Sequence, residues 1–214
     1  MPGLFITLEG VEGSGKTTQA AILGDALRNQ GRRVVVTHEP GGTRAGEAIR
    51  AIFLDPAVSL DVAAELLLVL ADRAQHVREK LKPSVVAGEI VISDRYSDST
   101  TAYQGYGRGF DLKLLADLNR LASDAMKPDL TLVLDVPVET GLERTRARVK
   151  GAVRGPDRFE GEAQEFHRRV RDGFLEIARA EPDRVRVVDA ARPLEAVSAD
   201  ILTAVNDLIK RRCL

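Results

Sequence analysis

Gly10, Val11, Glu12, Gly13, Ser14, Gly15, Lys16 and Thr17 stand in the order Gly-x4-Gly-Lys-Thr. That spacing suits one task, holding a string of phosphates. Glycines let several backbone N–H groups converge on the anion, Lys16 can reach the β- and γ-oxygens, and the Thr17 hydroxyl can ligate Mg²⁺. Farther along, Asp94 and Arg95 are adjacent. An acidic residue there can face a metal opposite Thr17, and an arginine can grip a second phosphate through two parallel bonds. Arg144, Arg146, Arg148, Lys150, Arg154 and Arg158 crowd a third segment. Like charges at helical spacing repel, so this density suits a segment visited by an anion. A phosphate loop alone leaves a GTPase switch, an ATPase and a kinase open. Guanine is normally read by Asn-Lys-x-Asp, whereas Asn29, Asn119 and Asn206 are followed by Gln, Arg and Asp, which weakens the switch reading.

The surrounding elements are legible from periodicity. Leu4 to Glu9 is a short β-prone run ending at Gly10, and a helical pattern runs from Thr17 to about Gln30, with Gly31 as its stop. Strand, glycine loop and helix are the context the motif needs. Further strands are expected at 33–37, 89–93, 130–135 and 185–188. A long helix should run from about Ser59 to Leu81, capped by Ser59 or Asp61, with Pro83 beyond its end. Gly105, Gly107 and Gly109 suggest a loop before a helix from about Asp111. Helices are also expected from about Glu139, Glu162 and Leu194, with an irregular flap at about 146–160. Strands alternating with helices imply parallel βαβ crossovers, an α/β fold with helices on both faces of a five-stranded parallel sheet.

Three segments together resemble thymidylate kinases: Glu9-Gly10-Val11-Glu12-Gly13-Ser14-Gly15-Lys16-Thr17-Thr18, His38-Glu39-Pro40-Gly41-Gly42-Thr43, and Asp94-Arg95-Tyr96 leading to Ala102-Tyr103-Gln104-Gly105. Leu134-Asp135, Gly141-Leu142-Glu143-Arg144 and Asp157-Arg158-Phe159-Glu160 are similar to that family too. The resemblance implies the P-loop nucleoside monophosphate kinase fold with a short lid, and transfer of a phosphoryl group from ATP to dTMP with Mg²⁺. It assigns residues 10–18 to ATP and Arg95 to the acceptor 5′-phosphate. Glu12 would meet the acceptor 3′-hydroxyl, and Glu39 would lie near the acceptor phosphate and metal. Arg50 and Arg73 match arginines on the acceptor phosphate or base. Ser99, Thr100 and Gln104 match the thymine pocket, and Tyr103 the ring under the deoxyribose. A homodimer is also implied, with the 59–81 helix a candidate interface. Another nucleoside monophosphate or deoxynucleoside kinase is the alternative, with a P-loop switch behind it.

The chain departs from the family pattern at two positions. His38 replaces a common arginine, and Val69, four residues before Arg73, replaces a common aromatic, giving up about 1 kcal/mol of stacking on a base. One branch of the family carries a catalytic arginine in the phosphate loop after the acid. Gly13 holds that position here, so the lid should supply the charge, through Arg154 or, second, Arg148.

Composition limits the rest. The 214 residues are 44% hydrophobic, which suits one domain over 1–214 with one sizeable core. Thirty-one basic residues nearly balance 32 acidic ones, which gives no basis for a nucleic-acid surface. No apolar run is long enough to span a membrane, and Met1-Pro2-Gly3 has no charged leader, so a cytoplasmic protein is expected. The lone Cys213 and the dispersed His38, His76 and His167 offer no disulfide and no zinc spacing.

Overall fold

The structure is a computed structural model that describes residues 3–150, 158–159 and 161–212, with only the helical backbone for 148–150. In chain order the elements are β1 (Leu4–Glu9), α1 (Lys16–Asn29), β2 (Val34–His38), α2 (Arg44–Leu54), α3 (Val62–His76) and α4 (Lys82–Val86). They continue with β3 (Ile90–Asp94), α5 (Ser97–Thr100), α6 (Leu112–Ala122), β4 (Leu130–Asp135), α7 (Val138–Lys150), α8 (Gln164–Ala180), β5 (Val185–Asp189) and α9 (Leu194–Arg211). Two π-helical segments, Val77–Leu81 and Thr101–Gly107, join α3 to α4 and extend α5.

All five strands are parallel, in the order β2-β3-β1-β4-β5. Side chains alternate across the sheet. Leu4, Ile6 and Leu8 of β1, with Ile90 and Ile92 of β3, face α1 and α9, where Leu23, Leu27, Ile201 and Val205 cover them. On the other face, Val133 packs beneath a layer that includes Leu66, Leu70, Leu115, Val170 and Phe174 from α3, α6 and α8. Phe5 and Val91 belong to a third cluster with Val77, Leu81 and Tyr96. With both faces covered, the strands are near-continuous apolar runs. Registers Leu8↔Asp94 and His38↔Asp94 align the ends of β1, β2 and β3, so three motif-bearing loops emerge on one rim.

Two expectations need correction. Pro83 does not lie beyond a finished helix. The backbone widens through the π-helical Val77–Leu81, and Pro83 enters the first turn of α4, where its missing N–H is not needed. Gly105 and Gly107 do not form a loop either, because both lie within the π-helical Thr101–Gly107. A β-carbon on Gly105 would meet Leu112 at 2.6 Å, and one on Gly107 would meet Phe166 at 2.7 Å. These glycines serve close packing against α6 and α8, and only Gly109, at φ 84°, is the expected turn glycine. Asp61 caps α3 by accepting the Ala63 N–H at 2.8 Å, and Asp111 caps α6 from Leu114 at 2.7 Å. Of the segment expected as a flap, 146–150 belong to α7, and residues 151–157 and 160 lie outside the described residues.

Candidate active site

The phosphate loop closes over its own backbone. Gly10, Gly13 and Gly15 take positive φ values of 137°, 69° and 90°. A β-carbon would meet Leu134 O at 2.5 Å from Gly10, and Gly141 O at 2.0 Å from Gly13. Gly141 is equally constrained, since its β-carbon would meet Glu12 O at 2.4 Å. Loop and α7 therefore touch backbone to backbone. Val11 turns its side chain into the core. Lys16 arches back, donating to Val11 O at 2.8 Å and Ser14 Oγ at 3.1 Å. No side chain caps the start of α1, which leaves its first N–H groups to an anion. Burial, then the nearby Arg95 charge, lowers Lys16 to about 8. Thr18 is exposed, and so is Thr17, whose hydroxyl donates to Asp94 Oδ2 at 2.5 Å. Two hard oxygen ligands thus meet at the mouth of the loop, a donor set that fits Mg²⁺.

Beside the loop lies a cavity of about 540 Å³, which Lys16, Thr17, Glu39, Arg50, Arg73 and Arg95 help to line. Arg95 is its hub. The backbone there is left-handed, at φ 74°, in a region that costs a non-glycine residue about 1–3 kcal/mol. Two bonds hold this corner: Arg95 N donates to Leu8 O at 3.0 Å and Tyr96 N to Glu9 Oε1 at 2.7 Å. The guanidinium donates to Glu12 Oε1 at 3.2 Å, Tyr103 Oη at 3.1 Å and Ser99 Oγ at 3.2 Å, and lies 4.8 Å from the Tyr103 ring centre. Tyr103 also donates to Glu12 Oε1, at 2.5 Å. Burial alone would raise the Glu12 carboxyl, but a hydrogen bond from His167 and the charges of Arg95 and Lys16 outweigh it and hold it at about 2.

Arg73, 2% exposed, donates to Glu39 Oε2 at 2.9 Å, Thr100 Oγ1 at 2.9 Å and Asn119 Oδ1 at 2.6 Å. His76 Nδ1 lies 2.9 Å from the other Glu39 oxygen. Arg50 donates to Pro40 O at 2.7 Å, and Val69 joins the cavity wall from α3. Gln104 donates to Glu65 Oε1 at 2.8 Å, which anchors its amide. His38, the departure after β2, sits 3.1 Å from Glu47 Oε1. The expected acceptor residues Glu12, Glu39, Arg50, Val69, Arg73, Arg95, Ser99, Thr100, Tyr103 and Gln104 all line this one cavity.

A sequence model of the family described as thymidylate kinase matches residues 8–201. The chain belongs to the thymidylate kinase family. It is 46% identical over 212 residues to the thymidylate kinase of Desulfovibrio desulfuricans, covering 98% of both chains. Against that of Deinococcus radiodurans it is 49% identical over 205 residues, covering 96% of this chain and 97% of the relative. The crystal structure of the Ehrlichia chaffeensis thymidylate kinase superimposes with a TM-score of 0.78 at 37% identity, over 96% of this chain and 99% of that one.

Against this family background, several site residues escape sequence reasoning. Glu9 is buried behind Arg95, and burial, then the Asp98 charge, pushes it up to about 8. Asp72 lines the cavity, accepts Gly41 N at 2.9 Å, and is pushed up to about 7 by burial and then the Glu39 charge. His167 reaches Glu12 from α8. Glu65 gathers Gln104, Arg108 and Arg158. Glu9 closes β1, whereas Glu65, Asp72 and His167 sit on inward helix faces that carry no local motif, and only the apolar spacing around those three offers a signal.

Two of the crowded basic residues turn out to be structural. Arg144 donates to Ala190 O at 3.0 Å, and Arg158 binds Phe53 O at 3.1 Å and Glu65 Oε2 at 2.8 Å. Arg154 and the side chain of Arg148 lie outside the described residues.

Proposed function

We infer that this chain transfers the γ-phosphoryl group of ATP to dTMP, giving ADP and dTDP in the supply of dTTP for DNA synthesis. The observation that carries the reading is that Glu12 belongs at once to the phosphate loop and, through Arg95 and Tyr103, to the neighbouring cavity. Donor and acceptor sites then share a wall, as direct phosphoryl transfer requires.

Residues 10–18 hold the ATP phosphates through backbone N–H groups and Lys16, whose charge follows the transferred group. Arg95 neutralises the acceptor phosphate, so two anions can approach in line. Glu12 accepts the acceptor 3′-hydroxyl, and Tyr103 packs under the sugar. Ser99, Thr100, Gln104, Val69 and Arg73 surround the base, while Arg50 and Glu39 complete the phosphate end. Thr17 and Asp94 would hold Mg²⁺, which when bound neutralises charge on the β- and γ-phosphates. Arg154, or else Arg148, supplies lid charge to the γ-phosphoryl oxygens. The chain works as one domain over 1–214 with its lid at about 146–160, in the cytoplasm, as a homodimer for which exposed Leu67 on α3 offers an apolar contact. No helix among the described residues is long and apolar enough to cross a membrane.

The test is an ADP-release assay with ATP and Mg²⁺ against dTMP, dUMP, dCMP, dGMP and UMP, with the product identified. A strong dTMP preference with dTDP formed is expected. Equal use of dUMP would overturn the base pocket alone, and ADP release without any phosphorylated acceptor would overturn the kinase reading.

A further inference from the structure

Glu12 is bonded from three directions, and one of them comes from a helix remote in sequence. Arg95 and Tyr103 both donate to Oε1, and His167 Nδ1 lies 3.1 Å from Oε2. His167 is 1% exposed, on the face of α8 that enters the core beside Phe166 and Val170. The Phe166 ring meets its imidazole edge to face, 5.6 Å between centres. A buried polar ring in such surroundings needs a partner, and Glu12 supplies it.

The donor follows from the neighbours. An ionised carboxylate only accepts, so Nδ1 carries the hydrogen and aims it at Oε2. Nε2 is buried and finds no hydrogen-bond partner among the described residues.

We propose that His167 is a positioning residue for acceptor recognition: its Nδ1–H holds Oε2 of the Glu12 carboxylate against α8, so that Oε1, on Arg95 and Tyr103, which line the cavity, is presented to the acceptor sugar. This rests on the dTMP kinase reading above. Without His167, Oε2 is free to swing and to compete for Arg95, and the acceptor loses a pre-set hydrogen-bond acceptor. The bond also ties the phosphate loop to α8, an element 155 residues along the chain, which no loop motif records.

The test is a double-mutant cycle in kcat/KM for dTMP, using His167→Leu, Glu12→Gln and the pair. His167→Leu should raise the KM for dTMP about tenfold, the worth of one hydrogen bond to a charged group, with kcat changed less than about threefold. The double variant should be no worse than Glu12→Gln alone. His167→Asn, which places an amide N–H near the Nδ1 position, should recover most of the loss. Should the leucine variant fail to fold, His167→Met, which also lacks a donor, takes its place in the cycle. Additive losses, or an unchanged KM, would overturn the proposal. Wild-type KM is also measured for the acceptor lacking the 3′-hydroxyl. If that acceptor binds as well as dTMP, the sugar role of Glu12 fails, while the cycle still decides whether His167 acts through Glu12.

Discussion

The two halves of the cavity are built in different ways. The phosphate-loop half is mostly backbone: one unbroken stretch, residues 10–18, wraps its own N–H groups around a space that Lys16 closes. The other half is side chains from α2, α3, the β3 corner and the π-helical Thr101–Gly107, locked by ion pairs such as Arg73 with Glu39 and Arg95 with Glu12. A backbone cradle tolerates any neighbour that leaves its glycines alone. An interlocked set of charges couples recognition to stability, because each side chain removed strands a buried partner.

Four perturbations test that contrast. Lys16→Ala should reduce kcat by about 10²–10³-fold for every acceptor, with thermal unfolding close to wild type. A loss below tenfold would remove Lys16 from the transferred charge. Arg95→Ala should lower kcat/KM for dTMP by about a hundredfold while the KM for ATP moves less than twofold, which steady-state kinetics in each substrate will show. A parallel rise in both Michaelis constants would mean that the halves are not separable. Arg73→Met should cost about 3–5 kcal/mol in urea unfolding by stranding buried Glu39, and a cost under 1 kcal/mol would show that pair to be replaceable. The last perturbation concerns pH. The folded state holds a proton on Glu9 up to about 8, against the ordinary 4.5. Its contribution to stability is therefore full below 4.5 and is lost as pH rises through about 8. Wild-type melting temperature should fall across that window, and Glu9→Gln, uncharged throughout, should flatten the fall.

Legibility in the sequence follows the same division. β1, the phosphate loop and α1 form one local unit whose glycines, lysine and apolar spacing all report the same structure. The ends of β2 and β3 were readable because each short apolar strand stops at a polar motif. The side-chain half depends on pairings that local patterns do not record: Arg108 and Arg158 reach Glu65 across 43 and 93 residues. Gly105 and Gly107 misled for a related reason. A glycine needed for close packing and one needed for a turn look alike until the partner helix is in place. Arg144 and Arg158, by charge alone, looked like anion ligands, and their partners proved to be a carbonyl and a buried carboxylate.

The contact between Gly13 and Gly141 limits what either position can carry. A β-carbon at 13 would meet Gly141 O at 2.0 Å and one at 141 would meet Glu12 O at 2.4 Å, so a side chain at either position drives α7 from the loop. The pair works as a clasp closed by two missing methyl groups, and any residue that is to stand at 13 must first open it.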